Sequence, residues 1–172
     1  MKRVLRLTLF TIFSLILGTL IAGTILSYQQ AQFLVEPSAN NLRFATPENA
    51  EDVSFVSTDG VTLRGWYIAP THADSGASIV FIHGHAGNRR QFMAEAAVFE
   101  EQGYGLLLFD LRNHGESDDS LTTMGLHEVR DVQAAFAFLA AQPDVDPERI
   151  ALYGHSMGAA TAIRSMARIP EA

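Results

Sequence analysis

The sequence predicts an α/β fold built on a mostly parallel sheet, and three observations carry that expectation. From Ser78 onward, short apolar runs alternate with segments of helical periodicity, the pattern of strands buried between helices. Ahead of them, two alternating runs flank Thr58-Asp59-Gly60, a β-hairpin signal that opens the sheet with an antiparallel pair. The third is Gly154-His155-Ser156-Met157-Gly158, set between an apolar run and a small-residue run.

The chain opens with a separate element. Leu7 to Leu26 is an uncharged stretch rich in Leu, Ile and Phe, and at about 1.5 Å per residue a helix of that length covers the ~30 Å hydrocarbon core of a bilayer. Lys2, Arg3 and Arg6 precede it and the first acidic residue after it is Glu36, so the positive-inside rule puts the N-terminus in the cytoplasm and the body on the other side. Residues 1–27 therefore read as a single-pass membrane anchor. A cleaved signal peptide is the competing reading, and a core helix would show a polar face that this run lacks. Residues 28–50, mixing Gln, Asn, Pro and Ser with scattered apolar positions, read as a tether.

Residues 51–172 form the expected domain. Asp52 to Ser57 and Val61 to Ile68 are the hairpin strands, and Ser78 to Ile82 is an apolar strand ending in His83-Gly84-His85. Arg89 to Glu101 has apolar residues at Phe92, Ala96 and Phe99, with Gly103 as its C-terminal cap. Tyr104 to Phe109 is the next strand. Leu126, Val129, Val132, Phe136 and Leu139 mark a second amphipathic helix that stops before Pro143. Arg149 to Tyr153 reads as a strand buried on both faces, and Ala159 to Ile163 suits a helix packed close against it.

Composition narrows the function classes. Of the net charge of -7, the first six residues contribute three positive charges, leaving an acidic body without a basic run and excluding nucleic acid as the expected partner. Cysteine is absent, which removes disulfides, thiolate catalysis and cysteine-held metals. His83 and His85 lie two apart, but a strand-to-loop transition points them different ways and no third ligand has metal spacing, so neither metal nor cofactor is expected.

Gly154-His155-Ser156-Met157-Gly158 fits G-x-S-x-G, a nucleophile elbow. A serine held on a sharp strand-to-helix turn requires small residues two before and two after it, where neighbouring backbone comes close. Ser156 is the expected nucleophile, since a hydroxyl at its free pKa needs a positioned base. Six histidines are present. His83 and His114 read as braces of their loops, His155 as lining or packing, His72 and His127 as ordinary surface or helix residues, and Asp110 as a turn-former.

In this order the motifs resemble the α/β-hydrolase superfamily: a hairpin, a strand ending in His83-Gly84, a strand ending in Asp110-Leu111-Arg112-Asn113-His114-Gly115-Glu116-Ser117, then the elbow. With its apolar N-terminus the chain looks most like the membrane-anchored Bem46-like and lysophospholipase-like or serine-aminopeptidase-like branch. The resemblance covers Asp52 to the end. It implies acyl transfer on an ester, thioester or amide of a small-molecule acyl substrate, with the backbone N–H groups of His85 and Met157 binding the oxyanion. Asn113 stands where many relatives carry glycine, and Asn tolerates the left-handed backbone better than most residues.

The resemblance also implies an acid and then a histidine after the serine. After Ser156 the sequence holds one acidic residue, Glu171, and no histidine. The expectation is an N-terminal portion of a hydrolase, with its elbow strand left as an apolar sheet edge. The alternative is a membrane-tethered binding protein that keeps the fold without the chemistry.

Overall fold

The computed structural model describes residues 2–35, 43–71 and 75–167; His72 and Glu171 lie outside them. The chain divides into two units, an N-terminal helix and a sheet domain.

Helix α1 spans Lys2–Val35, and none of its residues is buried. Its most apolar window has a mean hydropathy of 2.3, long and apolar enough to cross a membrane. Its threonines fit such a helix because their hydroxyls donate backward within it, Thr8 to the Val4 carbonyl (3.1 Å) and Thr24 to that of Leu20 (2.9 Å). The helix continues past residue 27, because the Gln- and Ala-containing stretch that follows favours helix and the first breaker is Pro37. The far end of the expected tether is structured as well. Phe44 donates its N–H to Glu116 (3.0 Å) and its ring meets Trp66 edge-on at 6.2 Å. The reading of 28–50 as a tether is thus corrected at both ends, and its middle, 36–42, lies outside the described residues.

The domain is a five-stranded sheet in the order β1-β2-β4-β3-β5, with β1 Glu51–Val56, β2 Thr62–Ile68, β3 Ser78–Ile82, β4 Gly105–Phe109 and β5 Ile150–Gly154. The hairpin β1–β2 turns at Gly60, whose φ of +90° suits glycine. β2 runs antiparallel to β4, while β3 pairs parallel with both β4 and β5. This is the α/β-hydrolase arrangement expected from the sequence, parallel from the third strand on.

Alternate residues of the central strands feed two cores. Val80, Ile82, Leu107 and Phe109 point to one face, where α3 (Glu128–Ala140) contributes Val132, Ala135 and Leu139 and α4 (Met157–Met166) contributes Met157 and Ala162. Ile79, Phe81, Leu106 and Leu108 point to the other, covered by Phe92 and by Ala96 of α2 (Met93–Glu101). Leu63, Val80, Leu106, Leu107 and Phe109 are fully buried. Arg89–Phe92 forms a 3-10 turn ahead of α2, capped by the Asn88 side chain on the Arg90 N–H, so the helix starts later than its periodicity suggests. Leu126 is 56% exposed and lies outside α3, another departure from the apolar spacing.

β5 also departs from expectation. Its residues alternate between half-buried and exposed rather than lying buried on both faces, because among the described residues it pairs only with β3 and forms the sheet edge. Tyr153 is 37% exposed although its ring packs on Phe81 and Phe92, both at 5.2 Å.

A buried ion network ties the hairpin turn to the sheet. Arg112, 1% exposed, donates from Nη2 and Nε to Asp131 on α3 (2.7 and 3.1 Å) and from both terminal nitrogens to Asp59 in the β1–β2 turn. Neutralising one end of such a pair leaves a charge in a dry setting, so Asp131→Ala is expected to cost about 3–5 kcal/mol of unfolding free energy in urea titrations. A loss below about 1 kcal/mol would show that Asp59 alone compensates Arg112.

Candidate active site

The elbow is held by contacts between backbones. Ser156 has φ 52° and ψ -118°, a region that L-residues avoid and that stores on the order of 1–3 kcal/mol of strain. Two glycines permit it. A Cβ on Gly154 would lie 2.7 Å from the Ala159 nitrogen, and one on Gly158 only 2.0 Å from the Ile82 carbonyl oxygen of β3. The His155 N–H donates to the Ile82 carbonyl (3.3 Å) and the Gly158 N–H to that of His155 (2.9 Å). Ser156 is consequently exposed, on the bend between β5 and α4.

The loop after β3 abuts this bend, since a Cβ on Gly84 would stand 3.5 Å from that of Ser156 and 3.2 Å from His155 Nδ1. His85 follows Gly84 and is half-buried. Met157 is the first residue of α4, so its N–H belongs to the turn whose donors have no intrahelical acceptor. The structure therefore brings Ser156, Met157 and the His83-Gly84-His85 loop together at one end of the sheet.

The histidines divide by environment. His83 is 1% exposed; its Nε2 accepts the Leu111 N–H (3.0 Å), which fixes the proton on Nδ1, where it is donated to the Gly84 carbonyl (2.7 Å). His114, fully buried, does the same between Ala86 N–H (3.2 Å) and the Arg112 carbonyl (2.8 Å). The two rings lie 5.0 Å apart and staple the β3 loop to the β4 loop. Burial lowers the pKa of both, that of His83 to about 3. Both sequence-stated bracing roles agree with this geometry. His127 stands at the N-terminal boundary of α3, where its side chain makes no capping hydrogen bond. His155, expected to line or pack, is exposed, with its Nδ1 beside the Gly84 loop.

Asp110 is consumed by structure. Fully buried, it accepts from Arg89 N (2.6 Å), Arg89 Nε (2.8 Å) and the Glu116 N–H (2.9 Å), and the Ser117 hydroxyl donates to its carbonyl (2.6 Å). Asn113 adopts φ 64°, the left-handed turn anticipated for it. Sequence reasoning missed the Arg89–Asp110–Glu116 and Arg112–Asp131–Asp59 networks; the only signal was charge immediately following apolar strands. Among the described residues, none hydrogen-bonds to the Ser156 hydroxyl.

Comparison with known proteins follows the same outline. Residues 79–171 match the model of the Alpha/beta hydrolase family. The chain belongs to that family. It is 35% identical over 146 residues to an uncharacterized protein of Mycobacterium tuberculosis, covering 84% of this chain and 51% of that protein. It is 37% identical over 116 residues to the polyketide transferase ATR5 of Stachybotrys chlorohalonatus, covering 66% of this chain and 38% of that protein. Among solved structures it is similar to the esterase Pf2001 of Pyrococcus furiosus, with a TM-score of 0.66 at 32% identity, over 80% of this chain and 53% of the esterase. This alpha/beta hydrolase chain spans about half the length of the curated relatives it matches first.

The buried imidazoles carry a pH signature. A histidine with a lowered folded pKa leaves the unfolded chain, at about 6.5, binding more protons than the fold, so its stabilisation is complete above that pH and lost as pH falls toward 3. Denaturant titrations should show about 2 kcal/mol lost between pH 7 and pH 5 from His83 alone. His83→Gln should be less stable at pH 7 and show a shallower loss; an unchanged slope would place the proton uptake elsewhere.

Proposed function

We propose that this chain is part of a membrane-anchored serine hydrolase of the branch it resembles, cleaving an ester, thioester or amide through an acyl-enzyme on Ser156. The observation that carries the reading is the strained, exposed backbone of Ser156 at a strand-to-helix bend, directly beside the loop after β3. In this mechanism the Ser156 Oγ attacks the substrate carbonyl and gives up its proton to an imidazole. The carbonyl oxygen becomes an oxyanion, held by the backbone N–H groups of Met157 and His85, and each such donor contributes about 3–4 kcal/mol of barrier reduction. The protonated imidazole then returns its proton to the leaving group. Water, activated by the same base, hydrolyses the acyl-enzyme.

His83 and His114 are engaged on both ring nitrogens, and Asp110 is fully used by Arg89 and the Glu116 N–H. We assign the acid and the base to sequence following Ala172, in keeping with the greater length of the relatives. The helix α1 anchors the protein with its N-terminus in the cytoplasm and the hydrolase domain on the opposite side, in line with its length, its apolarity and the charges that precede it.

A fluorophosphonate probe and short-chain p-nitrophenyl esters test the assignment. Residues 1–172 alone should remain unlabelled, whereas the same sequence carrying its in-frame continuation should be labelled and should hydrolyse ester. Ser156→Ala should abolish labelling and reduce turnover by on the order of a million-fold. Strong labelling of residues 1–172 would contradict the assignment of the base. Absence of labelling with the continuation would favour a non-catalytic, membrane-tethered binding protein.

A further inference from the structure

A cleft of about 580 Å³ opens over the β1–β2 hairpin, lined among others by Arg43, Phe44, Asp52, Arg64, Arg89 and Glu116. It lies on the β2 side of the sheet, and β2 is three strands from β5 in the sheet order, roughly 14 Å at ordinary strand spacing. It is therefore distinct from the Ser156 bend, and nothing proposed for that serine makes use of it.

Its charge runs against that of the body. After the first six residues the sequence holds nine basic and nineteen acidic residues, yet four of the nine, Arg43, Arg64, Arg89 and Arg90, line this cleft or border it. The two carboxylates of the cleft are already committed. Asp52 accepts from Thr46 and from the Trp66 indole N–H (3.1 Å), and Glu116 accepts the Phe44 N–H and Arg89 Nη2, both at 3.0 Å. Arg89 is spent on Asp110 and Glu116. Arg43 and Arg64, by contrast, make no ion pair among the described residues.

Aromatic rings position the cationic wall. The Arg89 guanidinium lies 5.2 Å from the Trp66 ring centre and 5.8 Å from that of Phe44, and Arg90 lies 5.5 Å from the same Phe44 ring. Guanidinium forks match the geometry of a tetrahedral oxyanion better than point charges do, and a cleft of this volume exceeds what a lone ion needs.

We propose that this cleft is a second binding site, taking a phosphate-bearing small molecule or headgroup, with Arg43 and Arg64 as the groups that hold the phosphate. Two sources share that chemistry. One is a soluble phosphomonoester; the other is a phospholipid headgroup, since Arg43 is eight residues beyond Val35 and the chain spans at most roughly 28 Å over that interval.

The test uses the full chain in phosphatidylcholine nanodiscs at low salt, titrated by calorimetry with glycerol 3-phosphate and, separately, with dihexanoylphosphatidic acid below its micelle concentration. Binding of glycerol 3-phosphate supports the site with a soluble source, and binding of the lipid alone supports it with a headgroup source. In either case R43Q/R64Q should weaken binding at least tenfold, while R149Q/R164Q, removing the same charge elsewhere on the domain, should change it less than twofold. Both substituted pairs are on the surface, and an unchanged near-ultraviolet spectrum checks the fold. Failure of both ligands to bind overturns the proposal, as does equal weakening by the two double variants, which would reduce the effect to net charge. Because Ser156 is untouched, this binding and the probe labelling of the sequence with its continuation fail or succeed separately.

Discussion

The architecture around the candidate site depends on one close approach: the start of α4 is pressed so tightly onto the end of β3 that only hydrogen fits between Gly158 and the Ile82 carbonyl. That approach sets where the β5-to-α4 bend can pass, and the bend in turn forces Ser156 to a positive φ. Strain of this kind persists only when surrounding structure over-determines it. Here the surroundings are a fully buried parallel strand on one side and the Gly154–Ala159 contact on the other. The same approach brings the Gly84 loop to the bend, so that a hydroxyl and backbone amides from two separate crossings share one corner of the sheet.

Neutral histidines hold the rest of that corner. His83 and His114 each accept a backbone N–H and donate to a backbone carbonyl, a use of imidazole that satisfies buried peptide groups on loops that have no ladder to join. Charged residues do the heavier fastening. Arg89 with Asp110 and Glu116 secures the turn before α2 to the β4 loop, and Arg112 with Asp131 and Asp59 secures that loop to α3 and to the hairpin. Such buried pairs are costly to desolvate and are stabilising only because their geometry is complete. Their effect is to tie the loops at this end of the sheet to α3 and to the hairpin turn.

The two units distribute their apolar residues differently. In α1 no residue is buried and the threonine hydroxyls turn back on their own helix, a pattern that suits a helix long and apolar enough to cross a membrane. In the domain, apolar residues alternate between the two faces of one sheet, and the edge at β5 keeps Tyr153 and Ala151 partly in contact with solvent. An apolar strand that pairs on one side only, as β5 does among the described residues, is a template for further pairing.

What the sequence determined by itself was whatever follows from local periodicity and local backbone chemistry. The uncharged N-terminal run, the Asp59-Gly60 turn, the uninterrupted apolar strands and the small residues flanking Ser156 were legible because each depends on neighbours a few positions away. Asn113 belongs with them, since its tolerance of a left-handed backbone is intrinsic to its side chain. Strand order, the partners of Arg89 and Arg112, the tautomers of His83 and His114 and the docking of Phe44 onto Trp66 were decided only by the tertiary structure. Each depends on contacts between residues nineteen or more positions apart, and no local pattern states which buried carboxylate a given guanidinium will meet. The half-exposure of β5 belongs to the same class: apolar composition predicts that a strand can be buried, but only its place in the sheet decides what lies on either side of it.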